Sequence, residues 1–175
     1  MTRIARHHDV TVITRANNRA VIESELRRNP VPGLSFIYHD VPWLLGIKRR
    51  PGGLYLYHYV WQLTAARAAR QVIDHEDLDV AHHLTFGSFR YPSSLHRLGC
   101  PTVIGPVGGG EEAPIGFWST FGSKAIVAEA VRWLSNRLAL IDPLVRLGYR
   151  SASAVMATTE DTASKIRRLV PACLL

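Results

Sequence analysis

Short β-branched runs alternate with helical patterns along nearly the whole chain, and that alternation limits the fold more than any other feature. "DVTVIT" (Asp9 to Thr14), "LSFIYHD" (Leu34 to Asp40), "LDVAHHLTF" (Leu78 to Phe86), "PTVIGP" (Pro101 to Pro106) and "SAVMATT" (Ser153 to Thr159) each read as a strand. Between the first two lies "RAVIESELRR", with Val21, Ile22 and Leu26 on one helical face and Asn17-Asn18 placed to cap it. A second helical pattern runs from Leu54 to about Glu76, with Tyr57, Val60, Trp61, Thr64 and Ala68 at helical spacing. A third fills about Gly122 to Tyr149 and breaks near Asp142-Pro143, because proline cannot continue the hydrogen-bond ladder. Glu160-Asp161 open the last helix with charges suited to its positive end. Strand followed by helix, repeated, predicts an α/β fold: a Rossmann-like, doubly wound parallel sheet with helices on both faces.

The chain has 175 residues, of which 47% are hydrophobic and 20% charged, the balance of a globular domain with a real core. No apolar run approaches the roughly 18 residues of a membrane span. The opening "MTRIARHHDVTV" has no apolar core of a signal peptide. Cys100 and Cys173 stand far apart in no metal-ligand spacing, which suits reduced thiols in a cytoplasmic protein. We find no linker or internal repeat, so residues 1–175 are expected to form one domain. Both ends read as interrupted: Met1 to His8 as the end of a helix, Pro171 to Leu175 as the approach to a further strand.

The formal charge is +7, from 21 basic and 14 acidic residues. The basic residues fall in small groups such as Arg27-Arg28, Lys48-Arg49-Arg50 and Arg167-Arg168. None forms the dense block of a nucleic-acid arm, and no nucleic-acid recognition module is present. A basic surface facing anionic small molecules or an anionic membrane accounts for the charge, and composition does not choose between the two. Arg132, Arg137, Arg146 and Arg150 flank apolar Ile126, Val127, Ala130, Val131 and Leu134, a pattern that suits a helix lying on lipid as well as one packed on a sheet.

Ligands of parallel α/β sheets bind outside the carboxyl ends of the strands, and this rule sorts the candidate residues. Asp77-Leu78-Asp79 has the spacing of a metal-binding carboxylate pair but lies at the amino end of its strand, so it reads as a solvated connection and no metal site is expected. His82 and His83 lie toward the carboxyl end of that strand and point to opposite faces, so at most one of them is expected to address a given ligand. His83, nearer the end, is the first choice, and the reverse order stays open. "GPVGGGEEAP" directly follows the fourth strand. It matches neither the dinucleotide fingerprint nor the phosphate loop. Gly108, Gly109 and Gly110 would allow close backbone approach, and Glu111 and Glu112 could accept hydrogen bonds from sugar hydroxyls or from backbone donors. No nucleophile elbow, zinc motif or CxxC is present.

The succession "HDVTVITRANN", "DVAHHLTFGSFRYPSSL", "PTVIGPVGGGEEAP" and "SAVMATTEDTASKIRRL" resembles the amino-terminal domain of family-4 retaining glycosyltransferases of the GT-B type, over nearly the whole chain. The resemblance implies the acceptor-side half of an enzyme that transfers a sugar, with retention, from a nucleotide-sugar to a sugar, polysaccharide or lipid-linked acceptor. No cofactor is implied. His83 or His82 would orient a substrate hydroxyl, with Gly108, Gly109, Gly110, Glu111 and Glu112 lining the cleft. The family's first strand with its glycine-rich loop, and its carboxyl-terminal catalytic domain, would lie outside this chain, which alone would then be inactive. A cytoplasmic location, with peripheral contact to the inner face of the membrane, fits that reading. The alternative is a stand-alone binding module for an anionic small molecule or a membrane surface.

Overall fold

The computed structural model describes residues 2–73 and 78–170. Asp77, the end of the second helical pattern at Glu76, the 171–175 segment and Cys173 lie outside the described residues. The chain divides into two compact units, Met1–Asp74 and His75–Leu175. Neither composition nor a linker marks this division in the sequence.

In the first unit, β1 (Val10–Arg15) and β2 (Leu34–His39) pair in parallel, in register from Val10 opposite Leu34 to Arg15 opposite His39. α1 (Arg19–Arg28) connects them, since parallel neighbours need a crossover connection. Asn18 occupies the N-cap position, yet its side chain caps nothing. Its amide instead donates to Thr14 Oγ1 at 3.0 Å. Val21 is exposed while Ile22 and Leu26, four residues apart, are half-buried, so the apolar face of α1 is narrower than the sequence pattern suggests. A 3-10 helix, Pro42–Arg49, follows β2, and a turn through Gly52 in the left-handed region (φ 72°) opens α2 (Gly53–Arg70). The helix keeps Gly53 free of a side chain because an added Cβ would lie 1.9 Å from the Ile47 carbonyl oxygen. Tyr57, Trp61 and Ala65 of α2 pack with Val41 and Leu44 into a core flanked by Ile13, Ile47 and Val60. Tyr57 and Trp61 are therefore packing residues, as their helical spacing suggests, while Tyr55 of the same helix is exposed.

In the second unit, β3 (Ala81–His83), β4 (Thr102–Val107) and β5 (Ala154–Ala157) form a parallel sheet in the order β3-β4-β5. The third strand is much shorter than predicted: after His83 the chain leaves the ladder and meets it again at an isolated bridge between Ser88 and Gly108. α3 (Ser123–Ile141) and α4 (Pro143–Arg150) meet at the expected break, where Asp142 caps α4 by accepting from the Leu144 and Val145 amides at 2.8 and 3.2 Å. Thr159 caps α5 (Glu160–Leu169), whose first turn carries Glu160 and Asp161. Fully buried Phe89, Ile104, Val107, Val145, Tyr149, Val155, Ile166 and Leu169 fill this unit. The fold is thus mixed α/β with parallel strands in two sheets, consistent with a Rossmann-like half of a GT-B fold.

Candidate functional site

β3 carries the two histidines, and the pleat sends them to opposite faces: His82 is exposed and His83 buried. His82 donates from Nε2 to the Gly105 carbonyl at 2.8 Å, tying β3 to β4. His83 stands opposite Ile104 in the ladder, and among the described residues neither of its ring nitrogens meets a hydrogen-bond partner of good geometry. Burial lowers its pKa to about 4; a backbone interaction at Thr85 pulls upward and the neighbouring His82 downward. His83 is therefore neutral at physiological pH.

The glycine run begins where β4 ends. Gly108 continues the strand briefly, its amide donating to the Gly87 carbonyl at 2.7 Å while its own carbonyl accepts from the Phe89 amide at 3.0 Å. The missing side chains make room for the protein itself. A Cβ on Gly108 would meet Thr158 Oγ1 at 2.8 Å, one on Gly109 would meet Ser88 Oγ at 3.0 Å, and one on Gly110 would stand 2.6 Å from Thr162 Cα. Gly109 also has φ +84°, a conformation side-chain-bearing residues rarely adopt. The run lets the loop lie directly against α5 and the segment after β3.

Both glutamates turn onto this framework. Glu111 Oε1 accepts from Thr159 Oγ1 at 2.6 Å and Thr162 Oγ1 at 3.1 Å, and Oε2 accepts from the Gly109 amide at 2.9 Å. The Thr159 hydrogen bond is the largest influence on its pKa, and the net effect holds the carboxyl below its ordinary range despite partial burial. Glu112 Oε1 accepts from Asn136 Nδ2 at 2.7 Å and faces Lys165 Nζ at 3.4 Å. Burial raises the Glu112 pKa, but the Asn136 hydrogen bond, Lys165 and Arg137 together outweigh it and leave the group below its usual value. Its second oxygen makes no hydrogen bond among the described residues.

Arg90 and Lys165 close the frame on its carbonyl side. Arg90 donates to the Gly109 carbonyl at 2.6 Å and to Asn136 Oδ1 at 2.7 Å, and Lys165 donates to the Gly110 carbonyl at 2.6 Å. Arg90, Asn136, Thr159, Thr162 and Lys165 carry no motif in the sequence: they come from three separate stretches, and only Thr159, Thr162 and Lys165 share a helical spacing. An open pocket of about 500 Å³ adjoins the frame, lined in part by Thr158, Thr159, Glu160 and Arg167. Among the described residues no group of His, Cys, Asp and Glu could hold a metal ion.

A second cluster lies in the other unit, at the carboxyl ends of β1 and β2. Lys48 Nζ stands 3.4 Å from the centre of the Tyr57 ring and 3.6 Å from Asp40 Oδ1, and the Arg15 guanidinium lies 5.3 Å from the same ring. In the sequence Lys48 is only one of a small basic group and Arg15 carries no motif, so neither is marked there as a site residue.

A family model for the glycosyl transferase 4-like domain matches residues 3–172. Neither the curated proteins nor the solved structures contain a match to this chain. The match spans nearly the whole chain and is consistent with the parallel α/β architecture: the chain belongs to the glycosyl transferase 4-like domain family.

Proposed function

We propose that this chain is the acceptor-side half of a retaining GT-B glycosyltransferase, which moves a sugar from a nucleotide-sugar to a glycan or lipid-linked hydroxyl at the cytoplasmic face of the membrane. The observation that carries the reading is a pair of uncommitted polar groups in a chain of this family. These are the neutral imidazole of His83 at the carboxyl end of β3, and the second carboxylate oxygen of Glu112 just past β4. In the transfer, the bond from the sugar to the leaving diphosphate breaks and a bond to the acceptor oxygen forms, while the hydroxyl proton departs. With a pKa of about 4, His83 is a weak base and serves as a neutral hydrogen-bond partner that orients a hydroxyl. Glu112 accepts from a second hydroxyl. Glu111 and the three glycines act by fixing the loop that presents Glu112. Stabilisation of the oxocarbenium-like state and the leaving phosphate belongs to the donor side, which this reading assigns to a second Rossmann-like domain.

The test is acceptor binding by the 175-residue chain against glycan and lipid-linked panels, without donor. We expect saturable binding that Glu112→Gln and His83→Ala each weaken at least tenfold while the folded far-UV spectrum persists. Absence of any acceptor binding, or affinity unchanged in both variants, overturns the reading.

One observation favours the second reading, a module that docks on anionic lipid. α3 leaves Val127, Val131, Trp133, Leu134, Leu138 and Ile141 exposed, while Asn136 and Ala139 are its buried residues. Lys124, Arg132 and Arg137 stand on the same helix, and its one acid, Glu129, is engaged with the Ala113 amide and Arg132. No helix among the described residues is long and apolar enough to cross a membrane. Co-sedimentation with phosphatidylglycerol vesicles that Trp133→Glu abolishes would support lipid docking; equal sedimentation of the variant would exclude it.

A further inference from the structure

We propose that Arg15 and Lys48, held over the ring of Tyr57 at the carboxyl ends of β1 and β2, form a binding site for a phosphoryl group. The site deepens the acceptor-side reading, since it would hold a phosphorylated part of the acceptor.

The placement comes first. Arg15 is the last residue of β1, and its partner in the ladder, His39, is the last of β2. This is the edge at which parallel α/β sheets bind ligands. Lys48 arrives on the 3-10 helix that follows β2, and Tyr57 and His58 come from the first two turns of α2. His39 is anchored rather than available: its ring shares a 2.7 Å hydrogen bond with Thr64 Oγ1, and its carbonyl accepts from Trp61 Nε1 at 3.0 Å.

The charge balance comes second. Two cations share one carboxylate, Asp40, which lies 3.6 Å from Lys48. Among the described residues Arg15 pairs with no carboxylate and its side chain makes no hydrogen bond; its Nε is buried without a partner. A guanidinium held half-buried in this state is costly unless something supplies the missing negative charge. The cations act on their surroundings accordingly. Burial, then Arg15, then Lys48 lower the pKa of His58 to about 4, and burial followed by Arg15 lowers that of Lys48. His58 therefore stays neutral beside the pair and adds no third positive charge.

The shape of the donors comes third. The fully buried Tyr57 ring is a rigid support whose π-system attracts both cations without neutralising them. A planar guanidinium fork beside a point-charge ammonium suits a tetrahedral phosphoryl group, which offers three terminal oxygens and a charge of about −1.5 to −2 at neutral pH.

The experiment follows the melting temperature of the 175-residue chain as inorganic phosphate is added, with chloride and acetate at matched ionic strength as references. We expect phosphate alone to raise the melting temperature saturably, with apparent affinity falling at least tenfold in Arg15→Gln and in Lys48→Gln. Arg27→Gln, an exposed charge on α1, should behave as wild type. Lys48→Arg should restore most of the affinity. A soluble ester, glycerol 3-phosphate, and phosphatidate vesicles then identify the source: whichever shows the Arg15-dependent binding carries the group, and binding of either supports the site. An equal rise with chloride or acetate, or phosphate affinity unchanged in both variants, overturns the proposal. If one variant fails to fold, the other decides. No donor, acceptor panel or turnover enters the measurement, so it can succeed or fail independently of the glycosyltransferase reading.

Discussion

Glu111 and Arg15 each stand at or just past the carboxyl end of a parallel strand, where ligands of such sheets bind, but their surroundings differ in one respect. Glu111 meets three of the protein's own donors, two threonine hydroxyls and a backbone amide. Among the described residues the Arg15 side chain meets an aromatic ring and no hydrogen-bond acceptor. A charge satisfied from within stabilises the fold and has little left to offer a ligand. A charge left unsatisfied costs stability and is retained where an external ion completes it. The first cluster is therefore read as a frame and the second as a receptor. Within the frame, Glu112 is intermediate, with one oxygen engaged by Asn136 and Lys165 and the other uncommitted.

The contrast can be broken most forcefully at the glycines. Gly110→Val would drive a branched side chain into the backbone of Thr162, 2.6 Å from the added Cβ, and should cost about 3 kcal/mol or more. Gly116→Ala, where nothing lies within 4 Å, should change stability by less than about 0.5 kcal/mol. Urea denaturation of both variants measures the difference. Near-wild-type stability of Gly110→Val would mean that the loop is not clamped to α5.

Removing the internal acceptor comes next. Glu111→Ala should destabilise by about 2 kcal/mol, since it leaves the Gly109 amide and two hydroxyls without their acceptor. The carboxyl has a lower pKa folded than unfolded, so its contribution is complete above the unfolded value of about 4.3 and is lost as pH falls through the folded one. Chemical denaturation between pH 6 and 3 should show a shallower acid limb for Glu111→Gln than for wild type. Parallel limbs would sever the carboxylate from the frame.

The buried histidines sharpen the comparison at milder pH. His58 and His83 each have a folded pKa of about 4 against about 6.5 unfolded. Both therefore stabilise the fold fully above about pH 6.5, and that stability is lost as pH falls toward 4. The two differ in the source of the shift: burial leads in both, but Arg15 and Lys48 add to it only at His58. NMR titration of Arg15→Gln should raise the His58 pKa and leave His83 unmoved. An unmoved His58 would separate the imidazole from the cation pair.

The smallest effect is the most pointed. Arg15→Gln should leave stability unchanged or raise it by up to about 1 kcal/mol in phosphate-free buffer, because the guanidinium holds no partner in place and its burial is uncompensated. A loss as large as that of Glu111→Ala would make Arg15 part of the frame and remove the ground for treating the two clusters as different.

The sequence by itself determined the local elements. β-branched runs placed all five strands, Asp142-Pro143 set the break between α3 and α4, and Glu160-Asp161 marked the start of α5. These follow from steric and capping preferences that act within a few residues, so a linear reading finds them. Local spacing also found the glycines, the glutamates and the histidine pair, but not what each of them faces. Only the tertiary structure decided that His83 points inward and His82 outward, that Thr158, Ser88 and Thr162 occupy the space beside the glycines, and that α3 exposes its apolar face. The partners of Glu112, Asn136 and Lys165, lie 24 and 53 positions away in the chain, and Arg15 and Lys48 meet on a ring supplied by a third element. Such contacts depend on how strands register and helices pack, a property of the whole chain that no short window of residues encodes.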